Sequence, residues 1–187
     1  MTFPEIILSL VLAAHSNQPD AGNPAQLARL RGVVDDMVAV GKSNPIFSGD
    51  AGSEATTVAL YAVARHESGF WSKVQDCSIC YPGSAWCDHG RSITLYQIMR
   101  GSGWGTYTRQ ELCSDNRKAS ERAAIVLGRS AGRSSTLAMF NAYAGCQPWR
   151  ACRAARELES GFRATLAKVG VSVVWKGMQN EAGWVSK

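Results

Sequence analysis

The sequence has no apolar run long enough to cross a membrane, no internal repeat, no linker and no concentrated cluster of Lys or Arg. The longest apolar stretch, residues 3–14 (Phe-Pro-Glu-Ile-Ile-Leu-Ser-Leu-Val-Leu-Ala-Ala), falls well short of the roughly 20 residues a spanning helix needs, so no stable membrane span is expected. It has the length of a signal-peptide core. However, Glu5 lies at its start and no Lys or Arg precedes it, so the positive n-region is missing. A helix packed against the core is the alternative reading of residues 1–23. The dispersed basic residues and a formal charge of +5 exclude a strong nucleic-acid surface and suit an acidic polymer such as a bacterial wall.

What is present fits one globular domain over residues 1–187, since 45% hydrophobic content supports a real core at this length. Six cysteines, Cys77, Cys80, Cys87, Cys113, Cys146 and Cys152, are an even number and point to up to three disulfides and an oxidising environment. Fifteen connectivities satisfy six cysteines. A competing arrangement makes Cys77, Cys80, Cys87 and His89 a zinc knot, because Cys-x2-Cys followed by Cys-x-His supplies four ligands.

Helical periodicity dominates both ends of the chain. Asn23 and Pro24 open an amphipathic helix whose stripe is Leu27, Leu30, Val34, Met37 and Val38 and which Gly41 closes; Arg29, Arg31, Asp35 and Asp36 lie mostly off that stripe. A second helix has Ser53 as N-cap, Glu54 in its first turn and Gly69 as its stop. Leu60, Val63, Ala64 and Glu67 share one face of it by i, i+3, i+4, i+7 spacing. An otherwise apolar stripe therefore ends in a carboxylic acid. Desolvation and the negative end of the helix dipole both favour the protonated form. A rise from about 4.3 to roughly 6 corresponds to about 2 kcal/mol and leaves a proton to donate near neutral pH. The bland alternative is a Glu67 that pairs with Arg65 or His66.

From residue 70 to 113 the periodicity disappears, and Gly, Ser, Pro, Cys, Trp and Tyr dominate. Irregular stretches of this length inside a compact domain are usually functional or cross-linked. Within it, residues 92–99 form one apolar segment compatible with a short strand or a helical turn. Trp71, Trp86, Trp104 and Tyr107 surround it, residues of the kind that stack on pyranose faces or pack a core. Three further helices follow. The first, capped by Ser114 or Asp115, runs to about Ser130 with Ala119, Ala123 and Val126 inward. The second starts at Ser134 or Ser135, holds Leu137, Phe140 and Tyr143, and stops at Gly145. The third opens at Pro148 with Cys152, Ala155, Leu158, Phe162 and Val169 inward and Arg150, Arg153, Arg156 and Arg163 outward. The tail, residues 171–187, carries Trp175 and Trp184 and has no clear period.

Three of these stretches, Glu67-Ser68-Gly69-Phe70, Thr94-Leu95-Tyr96-Gln97-Ile98 and Ala142-Tyr143-Ala144-Gly145, come in the order seen in the lysozyme-like lytic transglycosylases related to goose-type lysozyme. The chain resembles that family over roughly residues 53–165. It departs from the pattern in three places: Thr94 stands for the family's Gly, Tyr96 for its Met, and the Asn of the third segment is missing, with Asn141 just upstream. The resemblance implies a mainly α, α+β lysozyme-like fold: a helical domain with an irregular, partly β cleft segment around residues 70–113. It implies cleavage of the β-1,4 bond between N-acetylmuramic acid and N-acetylglucosamine in peptidoglycan by one acid, Glu67, which acts first as acid and then as base. No cofactor and no metal are implied. Gln97, Tyr143, Ser68 and Tyr96 would contact substrate, and Asp76 and Asp88 are the nearest acids that could assist a hydrolytic variant. The alternatives are a hydrolytic muramidase using the same Glu67, or an inert lysozyme-like module that binds the wall or serves as a virion or envelope component. Either way the expected location is secreted, periplasmic or virion-associated.

Overall fold

The computed structural model describes residues 1–101, 103–131, 135–147 and 150–173. The chain is mostly helical, with one two-stranded sheet. Among the described residues, no helix is long and apolar enough to cross a membrane. The N-terminal apolar stretch forms α1 (Phe3–His15), which encloses Ile7 and Val11 completely.

Helix α2 (Ala25–Ser43) has Pro24 as its N-cap, one residue beyond the expected Asn23, and the Asn23 side chain accepts a hydrogen bond from the Ala25 N–H at 3.0 Å. Gly41 does not end it. A Cβ there would strike the Thr57 hydroxyl, so this glycine serves the close approach of α2 to α3, and the helix continues to Ser43. Of the expected stripe, Leu30, Val34 and Met37 are buried, whereas Leu27 is exposed.

Helix α3 (Gly52–Ser68) is the central element, packed by α1, α2, α7 and α9. Its N-cap is Ala51 rather than Ser53. The chain enters two residues early because Gly52 lies directly against the Phe47 carbonyl, a contact no side chain would permit. Every residue from Ala55 to Ala64 is buried. A helix enclosed on all sides has no wet face to display, and the expected single stripe captures only part of this one.

The C-terminal helices pack around α3. Asp115 caps α7 (Asn116–Ala131) through the Lys118 N–H at 3.1 Å, and Ala119, Ala123, Ala124 and Leu127 face inward. Ser135 caps α8 (Thr136–Tyr143), with its hydroxyl 3.2 Å from the Ala138 N–H. Helix α9 (Arg153–Val169) starts at the N-cap Cys152 and buries Ala155, Leu158 and Phe162, with Arg153, Arg156 and Arg163 exposed. Pro148, expected to open this helix, lies outside the described residues, as do Trp175 and Trp184. The Cys146–Cys152 disulfide ties the N-cap of α9 to the chain just beyond α8.

Residues 70–114 form a smaller lobe joined to the main core through Phe70, Leu95, Tyr96 and Ile98. It contains α4 (Ser72–Gln75), a single turn α5 (Cys87–Gly90), strands β1 (Ser92–Ile93) and β2 (Ile98–Met99), and α6 (Arg109–Ser114). The strands pair antiparallel, Ile93 opposite Ile98, around a four-residue turn. Helix α6 falls inside the stretch expected to be irregular. Thr108 and Glu111 form a reciprocal capping box there, a signal carried by four residues and too short to show a helical period. The lobe has its own small core of Val74, Cys77, Cys80, Cys87, Ile93 and Leu112.

Disulfides Cys77–Cys113 and Cys80–Cys87 cross-link that core. This pairing overturns the zinc alternative: all three cysteines of the proposed knot are oxidised, and no cluster of three metal-ligating side chains exists among the described residues. Three disulfides are characteristic of a chain that folds in an oxidising environment outside the cytosol.

Candidate active site

Glu67 sits in the last turn of α3, where Gly69 (φ 55°) reverses the chain and its N–H bonds back to the Ala64 and Arg65 carbonyls. The turn is fastened from outside. Arg29 on α2, expected to lie off the buried stripe, turns inward and donates from Nη2 to the Phe70 carbonyl at 2.7 Å and from Nη1 to Gln75. No feature of the helical pattern marks Arg29 for this role, because its acceptors lie more than forty residues downstream. Phe70 itself (φ 65°) is fully buried and stacks on Tyr61 with ring centroids 5.8 Å apart.

Neither basic neighbour neutralises Glu67. His66 faces Glu157 on α9 at 3.9 Å, and Arg65 interacts with Tyr61. Among the described residues, the Glu67 carboxyl has no ion pair with any side chain. Burial alone raises its pKa from 4.5 to about 7. Among the described residues no other charged group contributes to this shift, so no described carboxylate acts on Glu67. Asp88 pairs with Arg91 at 2.8 Å, and Asp76 accepts the Ser78 N–H at 2.8 Å.

The folded chain thus holds the Glu67 proton more tightly than the unfolded chain does. Where the native state binds more protons, stability falls as pH rises, here between about 4.5 and 7, and the deficit persists above that window. At full strength the difference is about 3 kcal/mol, and partial exposure of the side chain reduces it. Denaturant titrations of wild type and Glu67→Gln from pH 4 to 8 should therefore diverge, the variant becoming relatively more stable as pH rises. Parallel curves would show that Glu67 is well hydrated.

The other two motif segments converge here. Tyr143, at the end of α8, donates its phenolic O–H to the Tyr96 carbonyl at 2.6 Å. Its pKa lies well above the ordinary tyrosine value, first through burial and then through the proximity of the Glu67 carboxylate. Glu67, Tyr96 and Tyr143 therefore meet at one place although their elements are far apart in the chain. Ser68 completes the helix end: its hydroxyl donates to the Ala64 carbonyl at 2.8 Å and accepts the Phe70 N–H at 3.2 Å. Its observed contacts all serve that turn and none reaches Glu67.

Tyr96 requires a correction to its expected substrate contact. Its side chain is 0% exposed, with its hydroxyl 2.7 Å from Ser120 Oγ, so it reaches the site through its backbone carbonyl alone. Gln97 is half-buried. Its Nε2 donates to the Thr94 carbonyl at 3.1 Å and lies 3.7 Å from Cys87 Sγ, and Oε1 has no hydrogen-bond partner among the described residues. Thr94 has φ 66°, the left-handed conformation that suits glycine; the β-branched residue occupies it under strain. Among the described residues, every non-glycine residue with positive φ lies between Phe70 and Gln97. Strained backbone of this kind concentrates at functional sites. Side-chain pattern gives no access to that clustering, because φ is set by the tertiary closure of the lobe.

The aromatic residues also sort themselves. Trp104 donates Nε1 to the Ile98 carbonyl at 3.0 Å, and the Tyr107 ring lies 5.8 Å from Lys118 Nζ, so both are committed to packing. Trp86 remains 55% exposed.

No protein-family model, curated protein or solved structure matches the chain.

Proposed function

We propose that the chain is a peptidoglycan-cleaving lytic transglycosylase that uses Glu67 as its single acid and base. The observation that carries this reading is a desolvated carboxyl with pKa about 7 beside Tyr143, with no ion pair and no second carboxylate acting on it among the described residues. A hydrolase working with two carboxylates needs both flanking the scissile bond. An acid that works alone needs a pKa near the working pH, so that it is protonated for the first step and a competent base for the second.

In the first step Glu67 gives its proton to the glycosidic oxygen between N-acetylmuramic acid and N-acetylglucosamine, and the C1–O bond breaks. The carboxylate then takes the proton of the muramyl C6 hydroxyl as that oxygen bonds to C1. A 1,6-anhydro ring forms, and Glu67 is left protonated for the next cycle. Tyr143, held by the Tyr96 carbonyl, lies beside the acid, and the free Oε1 of Gln97 offers an acceptor for a sugar hydroxyl or amide. An oxidising location agrees with action on the wall from the periplasm, from outside the cell or from a virion.

Mass spectrometry of digested sacculi tests this reading. Muramyl ends one water lighter than reducing ends are expected. Reducing ends alone would convert the assignment to hydrolysis, and absence of released muropeptides across pH 5–8 would overturn it.

A further inference from the structure

The cysteine-stapled loop has no counterpart in the three motifs that carry the family resemblance, and the chemistry proposed for Glu67 does not use it. The loop closed by disulfide Cys80–Cys87, at a sequence separation of seven, presents two large aromatic side chains to solvent, Tyr81 at 57% and Trp86 at 55% exposure. Single exposed aromatic rings are common on protein surfaces; what distinguishes these two is that one cross-linked loop holds both, offering flat amphipathic rings with little conformational freedom.

The loop is also rigid. The Ser84 hydroxyl donates to the Ile79 carbonyl at 2.6 Å and accepts the Trp86 N–H at 3.0 Å, and the Gly83 N–H reaches the His89 carbonyl at 3.3 Å. Gly90 (φ 78°) lies directly against the Tyr81 carbonyl, where any side chain would collide. The residues after Trp86 complete the bracing: Cys87, Asp88 and His89 have φ of 56°, 51° and 58°, a left-handed turn fastened at Cys87 by the disulfide. Strain at three consecutive non-glycine residues persists only where the surroundings impose it. Its effect is to fix where Trp86 stands.

Two contacts tie this loop to the segment that follows Glu67 in the chain and to Gln97. Trp86 packs edge-on against Trp71, four residues beyond Glu67, with ring centroids 5.4 Å apart and planes at 80°. Cys87, the next residue, lies 3.7 Å from Nε2 of Gln97. We propose that the Cys80–Cys87 loop is a carbohydrate platform extending the Glu67 site, on which Trp86, braced by Trp71, stacks against the apolar face of an N-acetylhexosamine ring of the glycan. The identity of the ligand rests on the proposed wall-cleaving reading, but the platform itself stands on exposure, rigidity and position. A pre-organised ring loses little conformational freedom on binding, which makes such anchors effective.

The test is titration of the β-1,4-linked N-acetylglucosamine tetramer, followed by tryptophan fluorescence and calorimetry, against wild type, Trp86→Ala and Trp86→Phe. Trp86→Ala should bind about tenfold more weakly, with Trp86→Phe recovering most of the loss because the flat ring is retained. Circular dichroism should be unchanged, since the side chain is largely exposed. Equal affinity in Trp86→Ala and wild type overturns the platform, whatever the activity on sacculi. Weakened binding in a protein that releases no muropeptide sustains the platform and removes the catalytic reading. No binding of the tetramer by wild type overturns the platform as a carbohydrate site.

Discussion

Glu67→Gln is expected to lower muropeptide release from sacculi by at least about a thousandfold while leaving circular dichroism unchanged. General acid or base assistance contributes roughly a hundred- to ten-thousandfold per step, and here one side chain serves both steps. Glutamine keeps the shape and the polarity but has no proton to give and cannot accept one at neutral pH. No other carboxylate shifts the titration of Glu67, and the nearest acids downstream are engaged elsewhere: Asp76 with the Ser78 N–H and Asp88 with Arg91. Residual activity from a substitute acid is therefore not expected. The pH profile of the wild type carries the same signature. Its rate should fall above about pH 7, as Glu67 loses the proton that the first step consumes. A variant within a few-fold of wild type would remove Glu67 from the reaction and take the proposed mechanism with it.

Opening the Cys77–Cys113 link should be the largest single blow to stability. The bridge closes a loop of 36 residues, and the chain-entropy relation assigns about 4 kcal/mol to a loop of that length. For a chain of this size that corresponds to a fall in Tm of roughly 8–16 °C. Cys77→Ala/Cys113→Ala is the cleanest variant, because both sulfurs pack with the small core of Val74, Ile93 and Leu112, where serine would add an unsatisfied hydroxyl. The Cys146–Cys152 bridge has a separation of six and should cost only about 2 kcal/mol by the same relation. Thermal scans of the two double variants give the comparison. If the short bridge matters as much as the long one, loop entropy is not what these disulfides supply, and the lobe is held mainly by its packing.

The legible part of this protein is local. The bond of Asn23 to the first N–H of α2, the cap of α8 at Ser135 and the αL stop at Gly69 all depend on groups within a few residues of each other. Gly41 shows the limit of such reading: as a sequence sign it is a helix stop, but the Thr57 side chain from α3 fills the space where its Cβ would be. The exposure of Trp86 and the burial of Tyr96 are equally invisible to spacing, since each depends on which distant segment covers it.

Glu67 divides along the same line. The sequence by itself determined that this acid ends an apolar helical stripe just before a glycine, because helical spacing and caps are properties of neighbouring residues. Only the tertiary structure decided that His66 turns to Glu157, that Arg65 turns to Tyr61, and that Tyr143 is brought beside the carboxyl. The physical reason is that a pKa measures hydration and nearby charge. Both are set by α8, α9 and the hairpin turn, elements distant from Glu67 in sequence that meet it only when the chain is folded.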